Sequence, residues 1–215
     1  LVWLAVGVSV PFIPHAWALY PEMAGAVIVA WATVWMLRTE AGPSSAWTWA
    51  WRGLCLACLP WLHTKFSVFF AGLGLLLLWR LWQPVRQWRS IVALLLPMAI
   101  SGVAWLGFFY VVYGKLDPQA PYGGYTAAFV RFENLPRSVL GLLFDQKFGL
   151  MMYAPVYGLV LPGWWAARAH PRWRLPIIAS ALLAIVYVVS SARLFMWWGG
   201  SSAPARFLVP VAPLL

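Results

Sequence analysis

Long apolar runs, broken by short clusters of basic and turn-forming residues, set the pattern of this chain. A helix needs about 20 apolar residues to span a hydrocarbon core. The pattern predicts such helices at 91–113, 150–167 and 175–195, and a shorter one at 22–37. Apolar runs at 1–14 and 207–215 read as spans cut by the ends of the sequence. Between 53 and 82 the run is interrupted at His63, Thr64 and Lys65, so it forms either one long helix or two short ones joined by a tight turn. Basic loops favour the cytoplasmic side. With two helices, 53–63 and 66–82, Arg38, Arg52, Arg80, Arg86, Arg89, Arg168, Arg172 and Arg174 all fall on one face. With one helix, Arg38 and Arg52 move to the other face, so two are expected. The first arm is only about 16 Å long at about 1.5 Å per residue, and spans only if kinked at Pro60, thinned or buried.

This topology places His15–Glu22, the His63–Lys65 turn, the loop 114–149 and the segment 196–206 together on the outer face. The loop alternates charged residues (Asp117, Arg131, Glu133, Arg137, Asp145, Lys147) with apolar ones, and 135–144 has the pattern of an amphipathic helix lying at the interface. The expected fold is an all-α, polytopic transmembrane bundle, truncated at both ends, with one long outer loop containing a juxtamembrane amphipathic helix. The chain reads as a single domain over 1–215.

Composition agrees. With 63% hydrophobic and 9% charged residues, 17 Trp and a mean hydropathy of +0.78, the chain carries more apolar surface than a water-soluble fold of this size can hide. The net charge of +10 would suit nucleic acid, but its basic residues sit in clusters between apolar runs, so the bilayer is the expected partner and nucleic acid is not. The sequence opens at Leu1 without Met and breaks off in an apolar run, so missing flanks are expected on both sides. Cys55 and Cys58 form a C-x-x-C, but with no second ligand pair nearby they read as packing thiols.

Few residues are candidates for chemistry. Glu22 follows Tyr20 and Pro21 and opens an apolar helix, where the macrodipole favours an anion. That local role competes with one as an acid or metal ligand at the membrane surface, where a carboxylate is costly to keep. His63 and Lys65 either mark the headgroup region or contact a phosphate. Arg206 ends W-W-G-G-S-S-A-P-A-R and is either an interfacial cation or a bidentate phosphate ligand, with Arg193 a second candidate. Trp197 and Trp198 read as interfacial anchors. Tyr122 and Tyr125 flank Gly123 and Gly124, which either form a plain turn or let backbone approach a substrate. Asp145 reads as a cap or a partner of Lys147. No nucleophile elbow, phosphate-cradling loop, HExxH site or dinucleotide fingerprint is present.

The ordered segments Y-P-E-M, C-L-P-W-L-H-T-K-F, P-Y-G-G-Y, F-D-Q-K-F-G-L-M-M-Y-A-P-V-Y and M-W-W-G-G-S-S-A-P-A-R-F-L-V-P carry a likeness. Together they resemble the bacterial polytopic glycosyltransferases of the C superfamily, nearest its protein mannosyltransferase-like and lipopolysaccharide-core glycosyltransferase-like branches. The resemblance runs through most of the chain and rests on order and spacing. It implies inverting transfer of a sugar from a polyprenyl-phosphate donor to a glycan, lipid or protein acceptor, at the outer face of a bacterial inner membrane. It also implies a catalytic acid in an outer loop that would precede Leu1, an assisting catalytic acid at Glu22, and donor-phosphate contacts at Arg206, His63 and Lys65. A divalent metal is left open. Two other classes compete: a transporter or flippase for a lipid-linked substrate, expected to carry charges at the bilayer midplane, and a non-catalytic membrane protein.

Overall fold

The computed structural model describes residues 6–37, 45–82 and 87–215; Arg38 and Arg86 of the charge pattern lie outside the described residues. In chain order the α-helices are α1 (Phe12–Ala16), α2 (Pro21–Leu37), α3 (Ala46–Ala57), α4 (Leu59–Leu62), α5 (Ser67–Trp82), α6 (Trp88–Tyr113), α7 (Gly124–Phe129), α8 (Leu135–Phe144), α9 (Leu150–Tyr153), α10 (Val160–Ala167) and α11 (Pro171–Ala192). No strand occurs among the described residues, and a single antiparallel bridge joins Val130 to Leu194. Three helical stretches, Thr64–Trp82, Trp88–Tyr113 and Arg174–Ala192, are long and apolar enough to cross a membrane. The chain divides into two compact units, residues 28–124 and residues 1–27 with 125–215.

In the unit 28–124, α3 starts where Ser45 Oγ accepts the Thr48 N–H at 3.2 Å, a serine N-cap. The helix therefore begins before residue 53, and Arg52 lies inside it rather than in a basic boundary cluster. Arg52 is 7% exposed, its guanidinium 4.3 Å from the Trp49 ring and 5.7 Å from that of Trp35. Two indole faces cover a cation that an apolar helix would otherwise exclude. Arg80, expected at the same boundary, donates from Nη1 to the carbonyl oxygens of Trp35 and Met36. It satisfies acceptors that the C-terminus of α2 leaves without helical partners.

Helix α3 packs on α6 through Gly53, where a Cβ would stand 2.3 Å from the Leu94 carbonyl oxygen and 2.9 Å from Pro97 Cγ. Close backbone approach through a small residue is how apolar helices associate in lipid. A polar staple adds to it: Trp61 Nε1–H donates to Ser101 Oγ at 2.9 Å, and Ser101 Oγ–H to the Ala57 carbonyl at 3.0 Å. Gly53→Ala is expected to cost about 1–3 kcal/mol by overpacking this crossing. A detergent melt of the variant matching wild type would contradict the crossing. Helix α6 ends at Gly114, whose φ of +69° and N–H to Tyr110 form a left-handed cap. Between α4 and α5 the chain leaves the helix at His63, with φ −166° and ψ 140°.

In the unit 1–27 and 125–215, several expected spans are broken by proline, which removes a donor and disfavours helix at the residue before it. The stretch 150–167 divides into α9, a 3-10 segment at Pro155–Leu159 and α10, because Ala154 before Pro155 is non-helical at φ −142° and ψ 67°. The stretch 207–215, expected to open a helix, holds two 3-10 turns at Arg206–Leu208 and Ala212–Leu214, with Pro210 and Pro213 interrupting it. The described part of 1–14 is helical at Val6 and Gly7, turns through 8–11 and starts α1 at Phe12, around Pro11 and Pro14. Helix α8 packs on α9 and α11 with Ser138 and Leu142 buried.

Candidate functional site

Glu22 occupies the second position of α2, directly after Pro21, whose fixed φ suits a helix start. Its carboxylate is 0% exposed. Arg206 is delivered to it by a loop with three left-handed residues: Gly199 and Gly200, with φ of +82° and +72°, which glycine adopts freely, and Ala205, with φ of 58°. That loop is anchored at two points. Asp145 Oδ1 accepts the N–H groups of Lys147 and Phe148 at 2.8 and 2.9 Å, and the Phe148 carbonyl accepts the Ala205 N–H at 2.9 Å. Asp145 is thus a turn cap rather than a partner of the Lys147 side chain. The Trp197 indole lies on Gly141, where a Cβ would come within 2.4 Å of the ring. Trp197 is only 7% exposed, so it is a packing residue of this loop rather than an interfacial anchor.

Arg206 Nε–H donates to Glu22 Oε1 at 3.0 Å, and Nη1–H to the Gly199 carbonyl at 3.3 Å. The guanidinium lies 3.6 Å above the Tyr20 ring and its side chain is 17% exposed, against 0% for Glu22. A guanidinium has five N–H donors. Two are directed at these acceptors, and part of the remaining edge reaches the surface. The start of α2 adds its positive end to the environment of the carboxylate. Tyr187 of α11, also 0% exposed, lies in the field of both charges.

His15 of α1 lies within electrostatic reach of both charges. It is 0% exposed, and its Nδ1 lies 2.7 Å from the Pro11 carbonyl oxygen. Burial holds its pKa below the ordinary 6.5, and Arg206 adds to that, while the Pro11 carbonyl and Glu22 oppose it. The folded state therefore favours neutral imidazole. Its contribution to stability is complete above pH 6.5 and is lost as the pH falls below 6.5 toward the lowered folded value. The melting temperature is expected to drop across that window, and more steeply than in His15→Asn, which keeps an N–H for Pro11 but cannot be protonated. Parallel pH profiles would contradict it.

Of the residues singled out from the sequence, the structure brings Glu22 and Arg206 together. His63, Lys65 and Tyr122 belong to the unit 28–124, where His63 Nδ1 accepts the Lys65 N–H at 3.3 Å and the Lys65 ammonium lies 5.4 Å from the Phe66 ring. Tyr122 and Tyr125 are 45% and 42% exposed, and Tyr125 stacks on Phe129 at 4.6 Å. The Arg193 guanidinium covers Phe132 at 4.2 Å, and its carbonyl accepts the Arg131 N–H and Asn134 Nδ2–H, both at 2.9 Å. Arg193 thus joins the bridge to Val130. Cys55 and Cys58 are free thiols, and Cys58 Sγ–H donates to the Leu54 carbonyl. No group of three His, Cys, Asp or Glu able to hold a metal occurs among the described residues. Sequence reasoning missed His15, Tyr20 and Tyr187. No protein-family model, curated protein or solved structure matches the chain.

Proposed function

We propose that the protein is a multi-pass membrane glycosyltransferase of the C-superfamily type, acting at the outer face of a bacterial inner membrane. It moves a sugar from a polyprenyl-phosphate donor to an acceptor hydroxyl. The observation that carries this reading is the pairing of buried Glu22 with Arg206, whose guanidinium keeps an open edge over Tyr20. A fixed, partly exposed guanidinium suits the non-bridging oxygens of a phosphate. Three helices of membrane-crossing length among the described residues support a membrane setting for the protein. In the reaction the acceptor hydroxyl attacks the anomeric carbon, the bond from that carbon to the phosphate oxygen breaks, and polyprenyl phosphate leaves with the bonding electrons. Arg206 stabilises the charge that develops on it. The hydroxyl proton passes to a carboxylate base of the kind the family resemblance implies.

Glu22 acts here through Arg206, so it is a positioning residue rather than the acid that meets substrate. His63, Lys65, Tyr122 and Tyr125 are retained as substrate contacts on the resemblance alone. Arg206→Lys tests the reading: it preserves a charge opposite Glu22 but lacks the planar fork. Transfer from a polyprenyl-phosphate sugar should fall about tenfold to a hundredfold, with membrane insertion intact. Unchanged transfer in Arg206→Lys and in Glu22→Gln removes both residues from the site.

A further inference from the structure

The buried cluster contains one group whose charge is uncommitted. His15 Nδ1 faces the Pro11 carbonyl at 2.7 Å, and a carbonyl only accepts, so Nδ1 carries the proton and Nε2 is the one position left to gain another. Nε2 is buried and has no hydrogen-bond partner among the described residues. Buried polar atoms are seldom left so without a reason. The charged groups acting on the imidazole are Glu22 at the start of α2 and Arg206 of the 199–206 loop, and both also act on Tyr187 of α11. Glu22 and Arg206 act on the imidazole with opposite signs. An anion on the open edge of Arg206 adds negative charge to that field in a site largely closed to water. Negative charge nearby favours the protonated form of a base.

We propose that His15 is a proton-linked positioning residue of the Arg206 site, its Nε2 taking a proton from solvent when a phosphate-type anion binds. The proposal rests on the anion-binding reading of Arg206 given above. Linkage makes the effect reciprocal: a proton on His15 strengthens anion binding. The His15 contribution to affinity then rises as the pH falls, by at most about tenfold per pH unit for one proton.

Calorimetric titration of geranyl monophosphate into the full-length protein in detergent, in two buffers of different ionisation enthalpy, measures this uptake. The probe has its own ionisation near pH 6, so the readout is the difference between wild type and His15→Asn. Greater proton uptake by wild type, with a steeper rise of affinity toward acid, is expected. Binding with equal uptake in both proteins overturns the linkage and leaves the anion site standing. Absence of binding by wild type at every pH overturns both. If His15→Asn does not fold, spectra of wild type labelled with 15N-histidine decide: the His15 titration should move to higher pH with the probe bound, and an unmoved titration overturns the proposal.

Discussion

Arg206→Ala is expected to lower the stability of the protein by about 3–5 kcal/mol, the cost of removing one member of a buried ion pair. The size follows from where the pair sits. Glu22 is 0% exposed and Arg206 Nε is its partner at 3.0 Å. Removing the guanidinium takes this ion-pair partner from the buried carboxylate, and the start of α2 offsets only part of that, about 0.3–1 kcal/mol at ordinary helix ends. The Tyr20 ring also loses its stacked cation. The double variant Glu22→Gln with Arg206→Ala should be more stable than Arg206→Ala alone, because its buried group is neutral. Denaturation in mixed micelles measures both, and additive losses would show that the two residues do not act as a pair.

Trp197→Ala should cost a similar amount, about 3–5 kcal/mol, because it empties a large volume in a packed region. The indole is 7% exposed and fills the space over Gly141. The converse change, Gly141→Ala, brings a Cβ within 2.4 Å of the same ring and should cost about 1–3 kcal/mol. Both should also weaken anion binding, since Trp197 begins the turn that carries Gly199 and Arg206. Melts that match wild type would mean that the indole is not the support of this loop.

Much of the helical layout can be read from the sequence because hydropathy needs only local information. The long runs around α6 and α11 need no context, and the apolar alternation at 135–144 coincides with α8. The interruption at His63, Thr64 and Lys65 is likewise where the chain leaves the helix. Elsewhere hydropathy outweighed the backbone: Pro155, Pro210 and Pro213 sit in apolar runs, and their missing donors break those runs into short turns. Arg52 shows a different error, since a charge taken as a topology signal is covered by two tryptophans inside a helix.

The pairing at the site was not legible. Glu22 and Arg206 lie 184 positions apart, and each carries a sufficient local explanation, a helix start for one and an interfacial cation for the other. Only tertiary structure joins them. His15 and Tyr20 left a faint signal, as polar residues flanking prolines in the segment P-F-I-P-H-A-W-A-L-Y-P-E. Tyr187 left less, as one hydroxyl in the apolar run of α11.

The fate of the donor tests the central claim most directly. The full-length protein is reconstituted in liposomes with a short-chain polyprenyl-phosphate sugar on the outer leaflet and a membrane extract of the source cells as acceptor. Mass spectrometry then follows the lipid. Cleavage to polyprenyl phosphate, with the sugar recovered on acceptor and both slowed about tenfold to a hundredfold in Arg206→Lys, is the predicted result. A donor that stays intact and appears on the opposite leaflet would contradict it and identify a transporter.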